Sequence, residues 1–175
     1  MSRNTLLISV DTVKDRSPVH KNMDDSLIYP EIKIAQDMYI VAAIGTNLME
    51  RLQTGIEDED LTADETALID GYIIDALVQF TLAGLPRNAA YQLFTKGALR
   101  RTAENAELPS LSDVVDITAY YKDRGEFYRE RLIKYLNNNR ALFPLYTSRD
   151  CTDDIRPSGS GYSVPMWLDD SPDCC

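Results

Sequence analysis

The stretch Thr62-Ala63-Asp64-Glu65-Thr66-Ala67-Leu68-Ile69-Asp70-Gly71-Tyr72-Ile73-Ile74-Asp75-Ala76-Leu77-Val78-Gln79-Phe80 decides the fold class. Thr62 followed three residues later by Glu65 has the pattern of a capping box. The threonine oxygen accepts from the Glu65 amide while the glutamate reaches back to the Thr62 amide. Behind it Leu68, Ile69, Tyr72, Ile73, Ala76, Leu77 and Phe80 recur at spacings of three and four, a wide apolar stripe along one helix. Such a stripe must be covered by other helices, which makes the chain mainly α. Gly84 and Pro86 are expected to close this helix.

Upstream, Pro30 suits a first helical turn, and Ile28, Ile32, Ala35, Tyr39, Ala42 and Ala43 share one face. Gly45 is expected to end that helix in the left-handed conformation. Thr46 then caps a short helix with Leu48, Met49 and Leu52 inward and Gly55 as its stop. Glu57-Asp58-Glu59-Asp60 is an acidic connector. Residues 1–25 read as an irregular N-terminal lead-in. Within it residues 6–10 suit a short strand, residues 11–16 a helical turn ended by Ser17-Pro18, and residues 22–26 a turn.

Downstream, residues 88–101 suit either a helix or an extended excursion. Pro109 and Ser110 open the longest helix, roughly 112–138, with a stripe of Val114, Ile117, Tyr121, Tyr128, Leu132 and Tyr135 or Leu136. At about 1.5 Å per residue it spans about 40 Å, longer than a bundle of short helices needs. After Pro144 the character changes to Gly, Pro and acids. The expected organisation is a compact helical bundle over 26–146, with one long helix in its C-terminal half, and an extended acidic C-terminal arm over 147–175.

Net charge is −10, from 18 Lys and Arg against 28 Asp and Glu. No basic cluster is present to neutralise phosphates, which argues against stable DNA binding, although an acidic surface suits DNA that must slide past without sticking. No run of about 18 apolar residues occurs, so no membrane partner is expected. The apolar run near the N-terminus is too short for a secretory signal, so the chain is expected to stay where it is made. Cys151, Cys174 and Cys175 lie in the arm. An adjacent pair has the wrong geometry for an ordinary disulfide, and no Cys–His spacing suggests zinc, so all three are expected to be reduced thiols.

No chemistry-bearing motif stands out. His20 is the sole histidine, in a polar turn, with no nucleophile motif to serve. The acids at 57–60 with Asp64 and Glu65 lack the spacing of a calcium loop. Neither G-x-x-x-x-G-K-[ST] nor G-x-G-x-x-G occurs. No catalytic, cofactor-binding or metal-binding residue is therefore expected, and the protein reads as non-enzymatic. Lys96 with Arg100-Arg101 is a small basic spot suited to an acidic neighbour. Tyr120 and Tyr121 cannot face the same way on a helix, so one of them is expected at an intersubunit surface. In the arm, Tyr162-Ser163-Val164-Pro165-Met166-Trp167-Leu168 is an apolar cluster holding the one tryptophan. It suits docking onto a partner or a neighbouring subunit, with folding back on its own domain as the alternative.

The order Asn22-Met23-Asp24-Asp25, Ile32, Ala35-Gln36, Ile40, Ile44-Gly45, Leu48 and Leu52, continued by the capping-box helix and the long late helix, resembles the head–tail connector proteins of tailed bacteriophages. The likeness covers roughly residues 10–140 and is strongest to versions in phages of Bacteroides-type hosts, including crAss-like phages. The arm has no counterpart. The resemblance implies a structural virion protein, assembled in the host cytoplasm, that forms a ring of twelve copies beneath the portal protein at the head–tail junction of a podovirus-like particle. Such a ring extends the DNA channel, lets DNA pass without specific binding, and docks the next connector ring or a tail protein. It implies no cofactor and no membrane. The family carries no invariant functional residue, so positions are assigned from composition and place. Asp58, Glu59 and Asp60 are candidates for a channel or rim, Tyr120 and Tyr121 for an intersubunit contact. Tyr162, Val164, Pro165, Met166, Trp167 and Leu168 are candidates for docking. Two rival readings are a soluble helical adaptor that binds one partner through its tail, and a metal-dependent hydrolase using the acids at 57–65.

Overall fold

The computed structural model describes residues 4–94, 97–100, 110–146, 155 and 157. Three helical columns make its frame. The first is α2 (Asp25–Ala35), a π-helical turn (Gln36–Ile40) and α3 (Val41–Ile44). The second is α5 (Ala63–Leu68), another π-helical turn (Ile69–Ile73) and α6 (Ile74–Ala90). The third is α7 (Leu111–Asn138). The short α1 (Val10–Asp15) and α4 (Thr46–Glu57) flank the columns, and a 3₁₀ turn (Pro144–Tyr146) follows α7. Beyond α6 an antiparallel hairpin joins β1 (Tyr91–Phe94) to β2 (Gly97–Arg100), with Tyr91 opposite Arg100. The fold is thus a mainly α, compact helical bundle with one long late helix.

Ring contacts fix the directions. Phe80 stacks on Tyr39 at 3.9 Å and lies against Gly125, while Tyr72 stacks on Tyr135 at 4.0 Å. As residue numbers rise along α6 they fall along α7, so these helices are antiparallel. Between the columns Ile28, Ile32, Ile40, Ile44, Leu48, Leu52, Leu68, Ile73, Leu77, Leu132 and Leu136 are fully buried. Each such side chain stabilises the fold by about 1.5–3 kcal/mol relative to exposure.

The helix starts follow local chemistry. The Thr62–Glu65 capping box forms as the sequence predicts, and Arg51 braces Glu65 and Asp60 at 2.9 Å each. Ser110 and Asp113 make a second box at the start of α7. Asp24 caps α2 by accepting from the Ser26 amide at 2.9 Å. Helix formation therefore begins at Asp25, and Pro30 sits inside α2 rather than in its first turn.

The N-terminal segment is stitched to the core. Gln36, buried in its π turn, accepts from the Leu7 amide at 2.9 Å and donates to the Thr5 carbonyl at 3.1 Å; Gln53 donates to the same carbonyl at 2.8 Å. Leu7, Ile8 and Val13 are buried. Residues 6–10 are consequently not a strand: Leu7 and Ile8 insert side by side, and Ser9 caps α1 by accepting from the Thr12 amide.

Glycine and proline act differently from their expected roles as helix stops. Gly45 does end α3 as the sequence predicts, but with φ 80° and ψ 159°, an extended mirror conformation open only to glycine rather than the left-handed one, and it doubles as the N-cap of α4. Thr46 supplies no cap, and its buried hydroxyl meets no partner among the described residues. Gly55 lies within α4, where a Cβ would stand 2.5 Å from a Leu61 methyl. Glu59, with φ 55°, belongs to the reversal after that helix. Gly84 and Pro86 lie inside α6, which continues to Ala90. The described part of 88–101 thus divides, residues 88–90 ending a helix and residues 91–94 and 97–100 forming two paired strands. The stretch Ala63–Ala89 is long and apolar enough to cross a membrane by length and composition, but 72% of its apolar window is buried among the other helices. It is the central helix of a bundle.

Candidate protein-docking surfaces

A groove of about 340 Å³ is lined by α2 and the π turn after it, by α6, and by α7 at Thr118 and Lys122. The stacked Tyr39 and Phe80 and the backbone of α6 at Ala83 and Gly84 line it, with Ile34 and Met38 on one side and Thr118 and Lys122 on the other. Ile34 and Met38 stay 46% and 60% exposed. They lie off the stripe that faces the core, so the helical period directs them outward.

Glu31 gives the groove its polar point. It is 5% exposed, and the space its carboxylate fills exists because Gly84 has no Cβ to strike it. The Asn88 amide donates to Glu31 Oε1, and the second oxygen has no donor among the described residues. Burial raises the Glu31 carboxyl above the usual carboxylate range, and the Asn88 bond offsets only part of that rise. Arg87 and Lys122, both exposed, belong to the same lining and form no ion pair among the described residues.

A second surface runs along the outer flank of α7. Ile117, Tyr120 and Phe127 are 43%, 56% and 65% exposed. Arg124 lies between them, donating to Tyr120 Oη at 2.8 Å with its guanidinium 5.3 Å from the ring centre. Tyr121 turns inward and meets Tyr120 edge-on at 5.2 Å. Of the two adjacent tyrosines, Tyr120 is therefore the outward one. Farther along, Arg131 sits 4.9 Å over the Tyr72 ring and 3.8 Å from Asp75, which also meets Arg16 at 3.7 Å.

The acids at 58–60 are exposed and near one another, but Asp60 is held by Arg51. Nearby, burial pushes Glu65 upward; the Thr62 amide and Arg51 outweigh it and hold the carboxyl below its usual range. No group of His, Cys, Asp and Glu with metal-binding placement occurs among the described residues. His20 accepts from the Asn22 amide at 3.1 Å in an exposed turn.

Tyr162, Val164, Pro165, Met166, Trp167 and Leu168 lie outside the described residues, as do all three cysteines, Lys96 and Arg101. The chain is nonetheless pinned to the core just before that cluster. The Ile155 carbonyl accepts from the Thr46 amide at 3.2 Å, and Pro157 covers Gly45, its Cδ 2.7 Å from where a Cβ would stand. No periodicity announces this anchor, because it joins a helix break to a residue far along the chain. The groove escapes sequence reading for a similar reason, since its sides belong to separate helices. A glutamate at position 31, between the buried Ile28 and Ile32, was the one available signal.

The chain belongs to the family of unknown function DUF6712, whose profile matches residues 40–156, more than half of its length. No curated protein and no solved structure matches it.

Proposed function

We propose that this DUF6712 member is a structural virion protein that forms a ring between portal and tail, extends the DNA channel and docks tail components. The outer flank of α7 carries the reading. Ile117, Tyr120 and Phe127 present apolar surface on a rigid helix with a cation, Arg124, among them. That mixture of aromatic and arginine is the composition of protein–protein contact surfaces. The acidic edge at Asp58, Glu59 and Asp60 supplies the opposite charge, and a basic-aromatic flank meeting an acidic edge on the next copy makes a head-to-tail contact. Such contacts close into a ring when the rotation per subunit divides a full turn. Twelve copies are the number implied by the connector resemblance.

The net charge of −10 fits a channel wall that DNA passes without adhering. The docking residues of the arm, Tyr162 through Leu168, fit a segment that locks one ring to its neighbour or to a tail protein. The activity is sealing and bridging, without bond chemistry, and assembly takes place in the host cytoplasm before the joint is incorporated in the particle.

Cryo-electron microscopy of this chain mixed with its portal protein tests the proposal. The expected result is a symmetric ring below the portal with the flank at 117–127 buried between copies. A portal with no density for this chain sinks it, and a stoichiometric complex with one soluble protein would favour the adaptor reading.

A further inference from the structure

We propose that the groove between α2 and α7 is the seat of this chain's own apolar segment at 162–168, with Trp167 entering beside Glu31. Three observations converge on one occupant. The first is placement. The chain returns to the core at Ile155 and Pro157, pinned on Thr46 and Gly45 at the end of the helical column whose outer face lines the groove. Along that column Met38 lies about 10 Å and Ile34 about 17 Å from Gly45, at 1.5 Å per residue. Extended chain from Pro157 reaches about 17 Å by Tyr162 and about 33 Å by Trp167, so the segment spans the groove without strain.

The second is chemistry at the floor. Glu31 is buried, lines the groove, and has one oxygen, seated in the notch at Gly84, with no donor among the described residues. An indole N–H donates and accepts nothing, which suits that oxygen, while the ring suits the apolar surface of Tyr39, Phe80, Ile34 and Met38. The third is charge. Leu168 is followed by Asp169 and Asp170, and Arg87 and Lys122 at the groove carry no ion pair among the described residues. An apolar segment trailed by two acids matches an apolar groove edged by two cations. The seat belongs to the free chain before assembly, and the arm leaves it to lock a ring, so it is read in the dilute chain.

Trp167 is the only tryptophan, so its fluorescence reports the seat directly. In the full-length protein at low concentration we expect blue-shifted emission and weak quenching by acrylamide, both unchanged on further dilution. Met38→Asp and Ile34→Asp, at exposed positions where the fold tolerates them, should shift emission to that of free indole and raise quenching several-fold, with the circular dichroism unchanged. Reversing Arg87 and Lys122 to Glu should raise quenching less, and adding Asp169→Lys and Asp170→Lys should restore protection. Emission of free indole in the parent chain overturns the proposal. So does protected emission indifferent to the groove variants. Protection that fades on dilution would assign the segment to a neighbouring copy and overturn it as well.

Discussion

The two halves of α7 share one helical period and meet different fates. From Gly125 onward the inward positions are sealed: Leu132 and Leu136 are fully buried, Gly125 lies against Phe80, and Tyr135 stacks on Tyr72. Over the first half Val114 is the one buried apolar residue, and Leu111, Val115, Ile117 and Tyr120 are exposed. Periodicity says which residues share a face; it does not say how far along the helix that face has a partner. The second half is held by the core, whereas the first half offers surface.

That contrast predicts opposite sensitivities. Leu132→Ala should produce the largest loss, about 2–5 kcal/mol by chemical denaturation, because a fully buried leucine leaves a cavity that its neighbours fill only in part. Gly125→Ala should follow at about 1–3 kcal/mol. Its new Cβ would stand 2.7 Å from two carbons of the Phe80 ring, which is locked by its own stack on Tyr39 and cannot retreat freely. A melting temperature unchanged by Gly125→Ala would show that the sealed half has slack and would erase the difference between the halves.

Much of this was legible in the sequence. The Thr62–Glu65 box, the stripe behind it and the long late helix all rest on local periodicity and capping, and all are present. The errors cluster at glycine and proline. Gly55 and Gly84 have the sequence pattern of helix stops, because glycine costs a helix stability, yet both serve close approach inside helices, to Leu61 and Glu31. Close approach depends on a second segment that one-dimensional spacing does not register. The stitching of Leu7 to Gln36, the groove and the Gly45–Pro157 contact escaped for the same reason.

The groove flanks the open half of α7, and its titration separates it from the rest. The Glu31 carboxyl has a folded pKa raised above its unfolded value, so the native state binds more protons than the unfolded one in that interval. Stability attached to this group is therefore full below the unfolded value and falls as pH rises through the folded value. In a Trp167→Ala background, where no indole reaches the second oxygen, Glu31→Gln, which still accepts from Asn88, should stabilise the protein at pH 7 by about 1 kcal/mol, the scale of an imperfectly satisfied buried polar group. Little gain should remain near pH 4. Glu65 has the opposite sign: its folded pKa is lowered, so its contribution is present above the unfolded value and is lost as pH falls through the folded one. Denaturation profiles of Glu31→Gln and parent that stay parallel at every pH would show that the buried carboxylate carries no such cost.

The smallest stability effect belongs to the flank, and it is the most informative about function. Tyr120→Ser and Phe127→Ser remove large side chains that are already more than half exposed. Surface substitutions of this kind usually change stability by no more than about 0.5 kcal/mol, and Tyr120 gives up its exposed contact with Arg124 and its edge contact with Tyr121. If the inward positions of α7 hold the fold and its outer flank, from Ile117 to Phe127, binds, the paired substitution should leave melting within that range. It should also abolish ring formation on the portal, read by light scattering and negative-stain imaging, because aromatic anchors supply most of the energy of a contact surface. Leu132→Ala should behave in the reverse way, losing stability while any surviving folded protein still assembles. A flank variant that melts early would place Tyr120 and Phe127 in the fold after all. One that melts normally and still forms rings would move the intersubunit contact off this face.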